Sequence, residues 1–331
     1  MIALSSINRA AKLAGLLACA LLVLAESVFA QARWPQRALR IIVVYPPGGV
    51  SDETARIIAD RLAPRLEVPV LVENRSGGGG AVGMAALARS VPDGHTLAFS
   101  AISPLTLNPH LGPVGYDPRR DVAPVIGVML TPVVVVGTPA FAGASFQDLM
   151  QSARSAPGRL RWGSSGRATV GHMVLEHVRL AGQVDITHIP YKGGGQQLND
   201  ALAGHFEILS TNVAQAQLQY IQAGRFKALA VGAPERLRVL PQVPTLAELG
   251  FPRANLTSQF GLFAPGETPE GIVNRIGAEV GAILRQGDFR ERLMGAGNLP
   301  LSGGPAEFAR AIELDSERNL AVIKAAGIRM D

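Results

Sequence analysis

Three glycine-rich stretches carry the residues whose types and spacing could do chemistry: "PPGGVSDETAR" (46–56), "NRSGGGGAVG" (74–83) and "GSSGRATVGH" (163–172). Each follows an apolar, strand-like run and precedes a helix-like one. Glycine lets backbone N–H groups approach a ligand closely, and the N-terminus of a helix favours negative charge. Each such end contributes ~0.3–1 kcal/mol to holding an anion. In an open α/β sheet, ligands bind outside the carboxyl ends of the strands, where these loops fall. Two such ends facing each other would suit a ligand with one or two carboxylates; taken singly, each loop is also an ordinary strand-to-helix turn.

Other chemistries fit less well. Gly78-x-Gly80-x-x-Gly83 is formally a dinucleotide fingerprint, but the acidic residue that should end the next strand, Asp93, sits in a Pro-Asp-Gly turn before it. The six histidines form no His-x-x-x-His, His-x-His or HExxH pair, which argues against a metal site. Ser164, Ser165 and His172 invite a serine-hydrolase reading, with Ser165 and His172 as the pair. The stretch lacks the second glycine of a GxSxG elbow, and nothing marks a third, acidic member. His172 fits packing or bonding near its own helix start. Asp52 has the wrong sign for an anion site and suits bonding to free N–H groups at a helix start, a role Ser51 could share. Lys192, in Tyr191-Lys192-Gly193, is either a weak charge aid or solvent-exposed. No cofactor is indicated.

The elements that must position these loops follow from periodicity. Leu39–Val44, Val68–Glu73 and Thr96–Ser100 predict strands, and Ala55, Ile58, Leu62 and Leu66 recur at helical spacing between the first two. After a β-branched strand at Pro132–Thr138 the pattern restarts. Strands are predicted at 160–163, 186–191, 207–211 and 226–231, and helices at 146–153, 169–180, 196–203 and 215–222. "FGLFAP" (260–265) is a further strand, and helices at 270–285, 289–294 and 305–325 close the chain. Alternating strands and helices predict an α/β fold of two lobes, each a mostly parallel sheet flanked by helices. The helical C-terminal part returns to the first lobe, so residues 31–135 plus 258–331 form lobe one and 136–257 lobe two.

Size and composition agree. The 331 residues suffice for about two domains, with 47% hydrophobic and 17% charged residues. Aromatics at 5% leave little for stacking bases, and a net charge of +5 is spread in ones and twos, so no nucleic-acid surface is indicated. Arg9 and Lys12, the apolar Leu13–Leu24 and Val28-Phe29-Ala30 read as a signal peptide over residues 1–30, cleaved near Ala30. Cys19, the single cysteine, lies inside it, where Leu16–Cys19 faintly resembles a lipobox.

In their order, the stretches "WPQRALRIIVVYPPGGVSDETAR", "VENRSGGGGAVG", "PDGHTL", "YDPRRDVAPV", "PGRLRWGSSG", "HIPYKGGGQQLNDALAGH", "AGRFKALAVGAPERLRVLPQVPTLAELG" and "GLFAPGETP" resemble the Bug family of extracytoplasmic receptors, the substrate-binding proteins of tripartite tricarboxylate transporters. The resemblance covers nearly all of the chain after the leader. It implies a type II periplasmic binding, Venus-flytrap fold, a periplasmic location and no enzymatic activity. The ligand would be a small organic acid held between the lobes. From lobe one the resemblance assigns the turn at Tyr45, Pro47, Gly48 and Gly49, with Ser100 and Ser103. From lobe two it assigns the loop from Ser164 and Ser165 to Thr169 and the turn Tyr191, Lys192 and Gly193. A tripartite permease is the expected membrane partner, with a sensor kinase as the alternative for a sensory adaptor, and the receptor is expected to be a monomer. Tyr45, Ser210-Thr211-Asn212 and Gln259 depart from the family's usual residues; where they line the cleft, it is more polar or roomier than usual.

Overall fold

The computed structural model describes residues 34–326; the leader reading, with Arg9, Lys12 and Cys19, lies outside them. The chain first forms β1 (Leu39–Val43), α1 (Val50–Leu66), β2 (Val70–Asn74), a 3₁₀ turn at Gly78–Gly80, α2 (Ala81–Ala88) and β3 (Thr96–Ala101). Two single-turn helices follow, α3 (Ser103–Thr106) and α4 (Asn108–Leu111), and then the long strand β4 (Val122–Gly137). The middle of the chain comprises α5 (Phe146–Ser155), β5 (Arg161–Ser164), α6 (Val170–Gly182), β6 (Thr187–Pro190), α7 (Gly194–Leu202), β7 (Ile208–Asn212), α8 (Gln215–Gln222) and β8 (Lys227–Gly232). It returns through β9 (Thr257–Pro265) to α9 (Glu270–Leu284), α10 (Gly287–Gly295), β10 (Leu299–Pro300) and α11 (Pro305–Ala326).

Strand β4 ties the molecule together. Its first part, Val122–Pro132, runs antiparallel to β9, which pairs in turn with β3, while Met129 and Leu130 pair with β10 on the other edge. Its last five residues, Val133–Gly137, pair with β7 on one edge and β8 on the other. The parallel pairs that the alternating pattern predicts are present: β1 with β2 and β3, and β5 with β6 and β7. Strands β4 and β9 run against them, so the sheets are mixed rather than mostly parallel. A strand that carries the chain from one sheet to the next enters without a crossover helix, and antiparallel pairing is then open to it.

The sequence predicts only Pro132–Thr138 of β4. Pro124, Gly127 and Pro132 break up the preceding run, and long-range pairing overrides that local signal, with register shifts at Pro124/Ile126 and Gly127/Met129. Between Val133 and Val136 the side chains alternate. Val133 and Val135 join a core with Trp162, Val174 and Ile208, and Val134 and Val136 join another with Phe206, Leu209 and Val231. A sheet covered on both faces explains the continuous apolar run. Trp162 is fully buried, and its indole N–H donates to Ser210 Oγ at 2.9 Å.

Helix α1 buries Ala55, Ile58, Leu62 and Leu66, the stripe its spacing predicts. Helix α5 starts at a capping box: Ser145 Oγ accepts from the Asp148 N–H at 3.1 Å, and the Asp148 carboxylate accepts from the Ser145 N–H at 3.0 Å.

At Gly261, β9 is pressed between β4 and α11; a Cβ there would meet Ile126 O at 2.5 Å and the Phe308 ring. Gly261→Val should therefore cost about 3 kcal/mol by forcing the strands apart. Urea denaturation reads this directly, and a variant as stable as the parent contradicts this account of the β4–β9 pairing.

Candidate functional site

A cavity of about 50 Å³ opens where the loops from both halves of the structure meet. The turn after β1 contributes Tyr45, Pro46 and Gly49, with Val50 and Ser51 from the first turn of α1; Ala101 ends β3 and Ser103 starts the single-turn α3. From the other side come Ser165 and Thr169, then Val170 and Gly171 at the start of α6, and Gly194 at the start of α7. Thr211, Asn212, Gln217, Ser258 and Phe260 complete the wall.

Three helices thus begin at one cavity. The first N–H groups of an α-helix have no partner within the helix, and each N-terminus carries a partial positive charge. At α6 the cap is made by Thr169, whose Oγ1 accepts from the His172 N–H at 3.4 Å and donates to Gly166 O at 2.8 Å. At α1 the N-cap is Gly49, with no side-chain cap. Every residue on the wall is formally neutral, so an anion here would meet backbone N–H, hydroxyl and amide donors rather than a counter-charge.

Asp52 takes the helix-start role. Its carboxylate accepts from the Gly48 N–H at 3.1 Å, from Asn74 Nδ2 at 2.9 Å and from Arg56 Nε at 3.1 Å. Burial opposes the charged carboxylate, but the bonds from Arg56, Asn74 and Gly48 outweigh it and hold its pKa below the usual range. Asp52 and Gly48 thereby fix the turn from behind the wall, and Gly48, at φ +78°, supplies the left-handed backbone that turn requires.

Tyr45 faces the cavity with its ring edge-on to Phe260, the centroids 6.4 Å apart. Burial pushes its phenol up to about 12, against bonds to Ser103 and Ser100. It is a neutral hydroxyl at any physiological pH. Ser100 is fully buried and donates to Ala101 O at 2.7 Å, so it supports Tyr45 rather than lining the wall.

In the second loop the two serines part company. Ser165 lies on the cavity wall, whereas Ser164 is fully buried, with its Oγ 2.6 Å from His188 Nε2. His172 stacks on His188 with ring centroids 4.3 Å apart. Its Nδ1 accepts from the Ala168 N–H at 3.3 Å, which leaves the proton on Nε2, 3.4 Å from Glu176. Both nitrogens therefore serve the loop, holding Ala168 at its unusual φ of +54°, and neither is turned to Ser165.

Tyr191, Lys192 and Gly193 reach the cavity only through the backbone that follows them. The Tyr191 hydroxyl donates to Asp200 at 2.8 Å, and Lys192 is exposed. Gly193 and Gly195 are close-approach positions. A Cβ at Gly193 would run into the Pro46 ring, and one at Gly195 would lie 2.7 Å from Pro47 O. Gly79 does the same on the other flank, 2.5 Å from Arg167 O.

Of the departures from the family pattern, Tyr45, Thr211 and Asn212 line the cavity; Ser210 lies behind it, where its Oγ donates to Gly171 O at 2.9 Å. Gln259 faces away from this cavity. Sequence reasoning missed Gln217 and Ser258. Ser258 Oγ donates to Asn212 Oδ1 at 2.7 Å, and Gln217 Oε1 is buried without a protein partner. No local motif marks either residue.

The mixed sheets, the double use of β4 and a polar cavity facing loops from both halves define a two-lobed solute-binding protein of the periplasmic type. The profile of the tripartite tricarboxylate transporter family receptor matches residues 54–328. The chain belongs to that family. The solved structure of the periplasmic binding protein BugD is 26% identical with a TM-score of 0.85, covering 90% of this chain and 100% of its own. Rpa4515 of R. palustris, solved with adipate, is 32% identical with a TM-score of 0.85 over 89% of this chain and 99% of its own. MatC of Rhodopseudomonas palustris, solved with malate, is 29% identical with a TM-score of 0.82 over 88% of this chain and 100% of its own.

Two outcomes follow from this geometry. Gly195→Val should weaken ligand binding at least tenfold by wedging α7 off the Pro46–Pro47 turn, with little change in the melting temperature of the ligand-free protein; calorimetric affinity equal to the parent's contradicts the close approach. Burial lowers the His188 pKa from 6.5 to about 3, with His172 adding to the effect. Below pH 6.5 the unfolded chain thus binds a proton that the folded one refuses, and stability falls as the pH drops from 6.5 towards 3. His188→Gln should flatten that slope in denaturation curves taken between about pH 7 and pH 5, and an unchanged slope speaks against it.

Proposed function

We propose that this protein is an extracytoplasmic receptor that captures a small organic acid in the cleft between its lobes and delivers it to a membrane partner. The observation that carries the reading is the convergence of three helix N-termini, at Val50, Val170 and Gly194, on one cavity walled by neutral donors. Donors without a fixed counter-charge suit a carboxylate that arrives and must leave again. The Ser165 hydroxyl and the backbone N–H groups of Gly49 and Thr169 would contact the carboxylate, with the Thr169 hydroxyl holding the start of α6. Gly48, Asp52, Ser100, Ser164 and His172 would hold those groups in place. A micromolar Kd corresponds to about −8 kcal/mol, within reach of several charge-assisted hydrogen bonds with water excluded.

In this reading lobe one comprises residues 31–135 and 258–331 and lobe two residues 136–257. The change of partners along β4 at Val133 and the return through β9 support that division. Ligand would favour the closed state because only there are both half-sites complete. The adipate and malate found with Rpa4515 and MatC support a carboxylate as the ligand class. The leader reading of residues 1–30 supports a periplasmic location; in this reading the receptor is a monomer that passes its ligand to a tripartite permease or, in a signalling role, to a sensor kinase.

Isothermal calorimetry against a panel of organic acids and neutral sugars tests the proposal. Acids should bind with affinities near micromolar, and Ser165→Ala with Thr169→Ala should lower them about tenfold to a hundredfold. Binding of sugars and of no acid would overturn the reading. Recovered ligand should be chemically unchanged after incubation, since His172 is engaged with Ala168 and Glu176; turnover lost on His172→Ala would make the protein a hydrolase instead.

A further inference from the structure

A second cavity, about 300 Å³ in volume, lies against the first. The two share Ala101, Ser103 and Val170 as walls. They fall on opposite faces of β9: Ser258 and Phe260 face the first cavity, Thr257 and Gln259 the second. The pairing of β3 with β9 ends at Ala101 and Phe260, whereas β4 continues alongside as far as Thr257. One edge of β9 is therefore left without a strand beside Ser258, next to the shared walls.

The volumes separate what each cavity can hold. The first cavity, at about 50 Å³, is the tighter of the two, and the second, at about 300 Å³, is several times roomier. The second cavity has an apolar side, with Leu107, Leu130, Met173 and Leu256, and Leu314 keeps 43% of its surface exposed there. Its charged groups, Arg318 and the nearby Asp315, lie with Asn319 on α11, and Ser103, Thr257 and Gln259 add polar groups elsewhere on its wall. Asn319 Nδ2 donates to Asp315 at 2.9 Å.

Resting on the carboxylate reading above, we propose that the ligand is an extended acid and not a compact one. Its carboxylate sits at the helix N-termini of the first cavity. An apolar body of several carbons passes Ala101, Ser103 and Val170 into the second cavity, and its far end carries an acceptor group, a second carboxylate, for Arg318. Gln259, which departs from the family's usual residue, would then help set the length and polarity of the ligand rather than contact its head.

The test is a calorimetric length series of straight-chain dicarboxylates and monocarboxylates of three to ten carbons, with the parent, Leu314→Trp and Arg318→Gln. Affinity should rise about fourfold per methylene buried, until the second cavity is full. Leu314→Trp, at a half-exposed position that tolerates size, should weaken the longer acids at least tenfold and leave three-carbon acids unchanged. Arg318→Gln should remove the preference for a long dicarboxylate over the monocarboxylate of equal length. Thermal melts of the free variants confirm that they fold. Tighter binding of the shortest acids, or a Leu314→Trp effect equal for all lengths or nil, overturns the extended-ligand proposal while leaving the carboxylate reading intact. Binding of no acid of any length overturns both.

Discussion

Backbone N–H groups that their own helices cannot satisfy, at the starts of α1, α6 and α7, are the constraint on which the rest of this molecule turns. A helix begins with N–H groups it cannot satisfy itself, and burying them without an acceptor is costly. Here three helices start at one small cavity, and the Thr169 hydroxyl meets one of those donors, the His172 N–H. The arrangement calls for an acceptor supplied from outside. Because no wall residue carries a charge, the field that receives that acceptor comes from the peptide groups, which are fixed by the fold and cost no rearrangement on binding.

Much of the surrounding chemistry serves to hold those starts in place. The ionised Asp52 carboxylate clamps the turn after β1 through Gly48, Asn74 and Arg56. The stacked pair His172–His188, one ring bonded to the Ala168 N–H and the other to Ser164, does the same for the loop before α6. Ionisable groups near the cleft thus act from behind it. Gly193, Gly195 and Gly79 let backbone meet backbone across the cleft, where any side chain would hold it open. Strands β4 and β9 supply the mechanical link, since they alone among the strands described run between the regions that carry the opposing loops.

The local elements were legible because each has a local cause. The α1 stripe at Ala55, Ile58, Leu62 and Leu66 and the β-branched Val133–Val136 announce their periods, and the glycine-rich loops announce the helix starts. The residues that resemble the receptor family gave the two-lobed architecture. What escaped the sequence depends on distant partners. Residues 122–131 of β4 contain a proline and a glycine that read as breaks, and they are strand only because β9 lies alongside. Gln217 and Ser258 sit in no motif and reach the wall through the packing of α8 and β9. The hydroxyls of Ser164 and Ser165 look alike in sequence, yet one is consumed by His188 and the other faces the cavity. Asp52 was legible as a helix-start residue because its sign forbids an anion contact.

The central claim is that peptide dipoles and neutral donors, and not shape alone, select an anion. The most direct measurement compares a bound acid with its own amide, which has nearly the same shape and no charge, by calorimetry at neutral pH. The account predicts that replacing the carboxylate by the amide weakens binding by about tenfold to a hundredfold, the difference between hydrogen bonds to a charged and to a neutral acceptor. Equal affinity for acid and amide would contradict it.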